Sequence, residues 1–451
     1  MLFLSILFLI VWFYITIKHS EVGFYILVIL TLLFQPMLSL NMNGNYVALT
    51  DLLWFVYFPI FIYKYRKYCY VIYNNMNIFF ILGGLFLFLY IIIPFIGFSF
   101  DNNVEISLFQ AMSPSIRLIQ WVSYGYMSLI LAIQEDDKLK IFKKVTIAIG
   151  IATLIHSIYS LFEFAAFLGF FDYNSLPHVK FYQDKKSWFY WWRATGLLPN
   201  PNTLGVLSVF SACSLFLSWM WKLISSRVFT ILFIGSLISL FLTTSRTAIL
   251  VFFGTVFVMV IIEAIINRNV IKLVYVIVLG LVSIVVLLTL LSSEMTSRLQ
   301  EIFYLFNGSG EIKNLTGRQE FWVEAFEKLK YDTFFVGTLI SPYLYYNEIS
   351  TDNGYIALLL QFPLLSLIFF AWIFSAFILL IQKCKFRFQQ YFSISILVGI
   401  FAVTNLTLNL MIESVLLVAY FTLLGSLFGD IKTHSSPYTA KNTKKVYYQI
   451  L

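Results

Sequence analysis

The sequence predicts an all-α, polytopic membrane protein with about 12–14 transmembrane helices, and three observations carry that prediction. Hydrophobic residues fill 60% of the 451 positions, charged residues only 12%, and mean hydropathy is +0.86. Soluble chains carry roughly a quarter charged residues, so this balance excludes an ordinary soluble domain. Phe 49, Tyr 28 and Trp 10 bring aromatics to 19%. That enrichment suits lipid-facing surfaces and interfacial belts, and it does not suit an outer-membrane barrel with its weak alternation.

Each bilayer crossing takes about 20 apolar residues. On that measure spanning segments fall at 2–17, 22–40, 47–63, 77–99, 108–133, 145–170, 202–220, 228–243, 247–266, 273–291, 353–382, 391–406 and 409–428. The apolar start from Leu2 lacks a charged leader and a small-residue cleavage site, so it reads as a retained first helix. Basic clusters recur in the connections at Lys64/Arg66/Lys67, Lys138/Lys140/Lys143/Lys144, Lys222/Arg227, Arg268/Lys272 and Lys383/Lys385/Arg387, and in the tail from Lys432 to Lys445. Alternate connections are nearly free of them: 41–46 has no Lys or Arg, and 100–107 carries Asp101 and Glu105. The positive-inside rule places the basic set in the cytoplasm and the opposite loops outside. A net charge of +8 follows from those loops and calls for no nucleic-acid partner. The layout is one membrane domain over 1–451, with extracytoplasmic loops at 171–201 and 292–352 and a cytoplasmic tail at 429–451. No internal repeat or low-complexity run interrupts it.

Cys69, Cys213 and Cys384 are odd in number, lie in or beside apolar segments and show no paired spacing, so neither a disulfide frame nor a thiolate metal site is indicated. His19, His156, His178 and His434 are scattered without metal-ligand spacing. Nucleotide, flavin and zinc motifs are missing, and no cofactor is expected. Asn307, Asn314 and Asn405 begin glycosylation triplets to which no role is given. Asp51 and Glu163 lie close to helix ends and read as interfacial residues.

Arginines that break the topological pattern are more informative: Arg117, Arg193, Arg246, Arg298 and Arg318. Arg193 opens a turn-rich stretch through Gly196, Asn200, Pro201, Asn202 and Gly205 into an apolar helix. Asn-Pro-Asn disfavours helix at Asn200 and suits a helix entrance at Pro201. An arginine beside a helix N-terminus makes an anion site; the bland alternative is a side chain snorkelling to headgroups behind Trp188, Tyr190, Trp191 and Trp192. Arg246 sits in the polar knot Thr243–Thr247 between two apolar runs, where serine and threonine can satisfy the turn and the arginine is harder to dismiss.

In the long loop, Thr316 and Gln319 have capping-box spacing. Phe321, Trp322, Ala325, Phe326 and Leu329 then share one face of an amphipathic helix with Arg318 in its first turn. Asp352, Asn353 and Tyr355 precede a long apolar helix. Asp352 there is either the N-cap or a general base at the membrane surface, with Asn353 and Tyr355 as hydrogen-bonding neighbours. Arg117 and Glu413 lie within apolar segments and need a partner or a wet cavity.

Arg193-x-x-Gly196 with Asn200-Pro201-Asn202-x-x-Gly205, then Thr244-Ser245-Arg246, Thr316-Gly317-Arg318 with Trp322, and Asp352-Asn353-x-Tyr355 appear in that order. Together they resemble the bacterial O-antigen ligase and O-antigen or capsular polysaccharide polymerase superfamily over about 185–365; the remainder matches only as a many-helix membrane protein. The resemblance implies a fold like the lipid-carrier-dependent glycosyltransferases. It implies transfer of a glycan from undecaprenyl diphosphate to an acceptor hydroxyl at the outer face of the bacterial cytoplasmic membrane, without metal or nucleotide sugar. By motif, Arg193, Arg246 and Arg318 hold the diphosphate, Asp352 activates the acceptor, and Arg117, Asn200, Asn202, Asn353 and Tyr355 support substrate binding. The resemblance further implies that donor and acceptor are both lipid-linked oligosaccharides and that a chain-length regulator is a further partner. Ligases of this kind usually carry histidine before the asparagine, whereas Asp352 stands there as in many polymerases, which favours the polymerase branch.

Overall fold

A computed structural model describes residues 11–34, 39–42, 45–73, 78–100, 108–135, 137, 139–176, 193–267, 274, 278, 323, 327, 338–339, 353–406, 408, 410 and 413–428. Their regular structure is helical apart from one short hairpin. After a helical stretch at 11–18, the chain forms α1 (Ser20–Phe34), β1 (Ser39–Met42), β2 (Asn45–Ala48), α2 (Leu49–Tyr73), α3 (Ile78–Phe100), α4 (Leu108–Gln134) and α5 (Lys140–Phe167). A 3₁₀ turn at Tyr173–Ser175 follows, then α6 (Pro201–Met220), α7 (Ser226–Leu242), α8 (Arg246–Asn267), α9 (Gly354–Gln361), α10 (Pro363–Thr404) and α11 (Ser414–Leu427). Among the described residues, α3, α4, α5 and α6 are long and apolar enough to cross a membrane. Large apolar side chains such as Phe55, Ile231, Phe257, Leu367 and Phe374 stand exposed on helix faces, which suits lipid contact and would be a liability in water.

α6 is the centre of the bundle, buried along nearly its whole length and packed on α5, α7, α8, α10 and α11. Its buried hydroxyls are satisfied close at hand. Ser208 Oγ donates to the Leu204 carbonyl at 2.8 Å, and Ser211 and Ser236 hydroxyls pair at 2.8 Å across to α7. The most extensive helix contact joins α4 to α11. Glycine makes it possible: a Cβ on Gly425 would collide with the Gly125 carbonyl oxygen, and one on Gly125 would lie 2.7 Å from that of Phe421.

Several expectations need correcting. The 41–46 connection is part of a hairpin with Ser39 opposite Ala48 and Met42 opposite Asn45. In the sequence Asn43-Gly44 separates Met42 from Asn45, a dipeptide strongly favoured in two-residue hairpin loops. The Lys64/Arg66/Lys67 cluster is not a connection but the last turns of α2, which runs to Tyr73. There Arg66 lies over the Tyr63 ring, 5.3 Å from its centroid. Segment 353–382 is interrupted, because Phe362 is extended (φ −164°, ψ 113°) ahead of Pro363. The carbonyls of Leu360 and Gln361 at that break accept the Thr338 and Leu339 N–H groups, each at 2.8 Å.

α10 is helical over all 42 residues, yet it cannot be a straight rod. At 1.5 Å per residue, Phe369 and Phe401 would stand about 48 Å apart, whereas their ring centroids are 5.9 Å apart. The chain therefore folds back within α10, as the basic cluster Lys383/Lys385/Arg387 led us to expect between 382 and 391. The expected spanning segment 273–291 and the 429–451 tail lie outside the described residues, save positions 274 and 278, which are helical.

Candidate functional site

The candidate site forms where α6 begins. Asn200 stays extended (φ −128°, ψ 126°) before Pro201, and its Oδ1 accepts the Asn202 N–H at 2.8 Å, which caps a helix whose first residue needs no donor partner. Seven residues before the cap, Arg193 is fixed from two directions. Its Nε donates to the Thr243 carbonyl at 3.0 Å and its Nη2 to Asn202 Oδ1 at 2.7 Å. The same Asn202 oxygen accepts the Ser245 hydroxyl at 3.1 Å. The stretch from Arg193 and the knot from Thr243 thus meet at one carboxamide.

The turn between α7 and α8 is made of side chains that satisfy its own backbone. Thr243 caps α7 and donates its hydroxyl to the Leu240 carbonyl at 2.7 Å, then accepts the Ser245 N–H at 3.3 Å. Thr244 holds φ +47°, a left-handed conformation that costs a β-branched residue about 1–3 kcal/mol. Arg246 follows as the first residue of α8. The turn rests directly on α6: a Cβ on Gly205 would lie 3.0 Å from the Cβ atoms of Ser245 and Ala248. Among the described residues, Thr244 Oγ1 is buried with no hydrogen-bond partner, and so is Asn405 Nδ2 at the end of α10. Such orphaned groups cost about 1–3 kcal/mol each and call for an explanation.

Glu413 reaches the same rim from the other side. It stands just before α11, outside that helix's apolar run, and its Oε2 accepts the Thr203 hydroxyl at 2.8 Å. This answers the need for a partner that the sequence raised.

The start of α9 joins this rim through Gly354, whose N–H donates to the Asn405 carbonyl at 2.9 Å. Asn353 is the N-cap, its Oδ1 accepting the Tyr355 and Ile356 N–H groups at 3.0 and 3.2 Å. The helix start is thus satisfied by the residue after Asp352. Tyr355 donates its hydroxyl to the Ala402 carbonyl at 2.8 Å and stacks on Phe370. Asp352 and Arg318 lie outside the described residues, as does the expected amphipathic helix apart from positions 323 and 327, which are helical. Arg298 and the aromatic stretch from Trp188 to Trp192 lie outside them too. Arg117 is exposed on a turn of α4 tied to α3 by Ser115 Oγ on the Tyr90 carbonyl (2.7 Å) and to α2 by Gln120 Nε2 on Asp51 (2.8 Å). Those neighbours are not the elements that hold Arg193.

Glu163, read as interfacial, is fully buried. Its Oε2 accepts the N–H groups of Thr195 (2.8 Å) and Gly196 (2.7 Å), and its Oε1 the Thr195 hydroxyl (3.0 Å). His156 lies two helical turns earlier and accepts the Leu197 N–H at 3.2 Å. The signal was present in the sequence: an acid and a histidine seven residues apart share a helix face, and ionisable residues inside an apolar segment are rarely idle.

The fold and this rim define a helical, membrane-suited bundle in which Arg193 and the turn bearing Arg246 meet at the start of α6. No protein-family model matches the chain, and no curated protein matches it.

Proposed function

We propose that the chain polymerises O-antigen or capsular polysaccharide repeat units, passing the growing glycan from undecaprenyl diphosphate to a hydroxyl of the next lipid-linked repeat unit at the outer face of the bacterial cytoplasmic membrane. One observation carries the reading: the Arg193 guanidinium, fixed between the Thr243 carbonyl and Asn202 at the start of α6 and beside the turn that bears Arg246. A helix N-terminus with guanidinium groups favours an anion, and a departing diphosphate is the anion this chemistry releases. The Thr244 hydroxyl in the same turn, buried with no partner among the described residues, suits a phosphate oxygen.

In the reaction, the acceptor hydroxyl oxygen attacks the anomeric carbon of the donor glycan from the face opposite the diphosphate. The carbon–oxygen bond to the diphosphate breaks and leaves its electron pair on the phosphate oxygen, with inversion. The acceptor proton passes to the carboxylate of Asp352. Arg193, Arg246 and Arg318 stabilise the charge that develops on the leaving group, which is where fixed donors lower a barrier most.

Deletion in the native strain followed by sizing of the surface glycan tests the assignment. Single-repeat glycan is the expected result. Long carrier-linked chains missing from their final anchor would make the protein a ligase, and repeat units trapped inside would make it a flippase.

A further inference from the structure

We propose that Glu163, with His156, is a positioning residue for Arg193: the two side chains of α5 clamp the backbone strap 194–198 and so set where the guanidinium stands. The proposal rests on the reading of Arg193 as a diphosphate-binding residue.

Every backbone N–H along this strap has a defined acceptor. Ala194 donates to the Leu242 carbonyl (3.0 Å), Thr195 and Gly196 to Glu163, Leu197 to His156 Nδ1 and Leu198 to the Thr195 carbonyl (3.1 Å). Because His156 Nδ1 accepts, its proton sits on Nε2, which donates to the Leu32 carbonyl at 3.0 Å and ties the clamp to α1. The fit leaves no slack. Gly196 has φ +57°, and a Cβ there would lie 3.0 Å from His156 Nδ1.

A carboxylate inside an apolar helix is costly, and apolar residues of similar volume often serve stability as well or better. What an apolar residue cannot do is accept three hydrogen bonds from one loop. Arg193 lies two residues from Thr195 and needs the Thr243 carbonyl and Asn202 at the same time. A displacement of about 1 Å in such a group can cost as much as a hundredfold in function.

The test uses the purified full-length protein in detergent with farnesyl diphosphate as probe, recording affinity together with the thermal midpoint of the ligand-free protein. Arg193→Ala should weaken binding by more than about tenfold, as loss of a charged hydrogen-bonding partner does. Glu163→Met keeps the volume but removes the acceptors, and should weaken binding about tenfold, the scale seen when supporting groups are lost. Glu163→Gln should recover to within about twofold, because its amide oxygen can take both N–H groups while its amide N–H donates to Thr195 Oγ1. The double variant Arg193→Ala/Glu163→Met should bind no more weakly than Arg193→Ala alone, since Glu163 acts through Arg193.

Wild-type affinity in Glu163→Met, or losses that multiply in the double variant, would overturn the positioning role and leave the diphosphate reading standing. A wild-type protein that does not bind the probe, with Arg193→Ala equally inert, would overturn the diphosphate reading and the positioning role with it. Should Glu163→Met not fold, Thr195→Val removes only the hydroxyl contact and should weaken binding about threefold; unchanged affinity there overturns the clamp.

Discussion

Arg193→Ala is expected to lower glycan transfer by about two to three orders of magnitude, the usual consequence of deleting one group that stabilises a leaving or attacking oxyanion. The loss should fall on turnover more than on the amount of protein in the membrane, because α6 keeps its own cap at Asn200 without the arginine. Lysine should not restore it. The Thr243 carbonyl and Asn202 Oδ1 are met by Nε and Nη2 of one rigid fork, and a single ammonium cannot reproduce that geometry. Asp352→Asn should produce a comparable loss, within the 10²–10⁴-fold range typical of a general base. Wild-type glycan lengths from both variants, in a strain lacking the native gene, would reject the site.

The second large effect is structural. Gly425→Ala places a methyl group against the Gly125 carbonyl oxygen, a backbone atom that cannot turn aside, so α4 and α11 must separate. Overpacking of a tight interface costs about 1–3 kcal/mol, and this case belongs at or above the upper end. Gly84→Ala in α3 and Gly254→Ala in α8 provide the contrast, because among the described residues no other element comes within 4 Å of a Cβ at either position. Those two should match or slightly exceed wild type in thermal unfolding, by about 0.5–1 kcal/mol from helix propensity alone. Equal midpoints for Gly425→Ala and the two controls would mean that the α4–α11 backbones do not touch.

Much of the layout could be read from residue order because membrane helices announce themselves locally. Asn200-Pro201-Asn202 and Thr243–Thr247 are punctuation between apolar runs, and α6, α7 and α8 begin and end within two or three residues of where those signals put them. Hydropathy conceals whatever depends on a partner far along the chain. Glu163 looked like an ordinary helix-end acid since nothing near it in sequence reveals that Thr195 and Gly196 will close over it. Glu413 met its need for a partner through Thr203, 210 residues away. Other signals are local but weak beside hydropathy: Asn43-Gly44 in the sequence between Met42 and Asn45, and Pro363 inside an apolar run long enough to seem continuous.

The glycine contact between α4 and α11 also bears on how the protein is made. Its two halves are encoded 300 residues apart, so at 5–20 residues per second the ribosome needs roughly 15–60 s to deliver the second after the first. Throughout that interval the inner surface of α4 must be shielded by lipid or by the insertion machinery. Nascent chains that terminate before Ser414 should therefore be cleared by quality control and not accumulate as shortened protein.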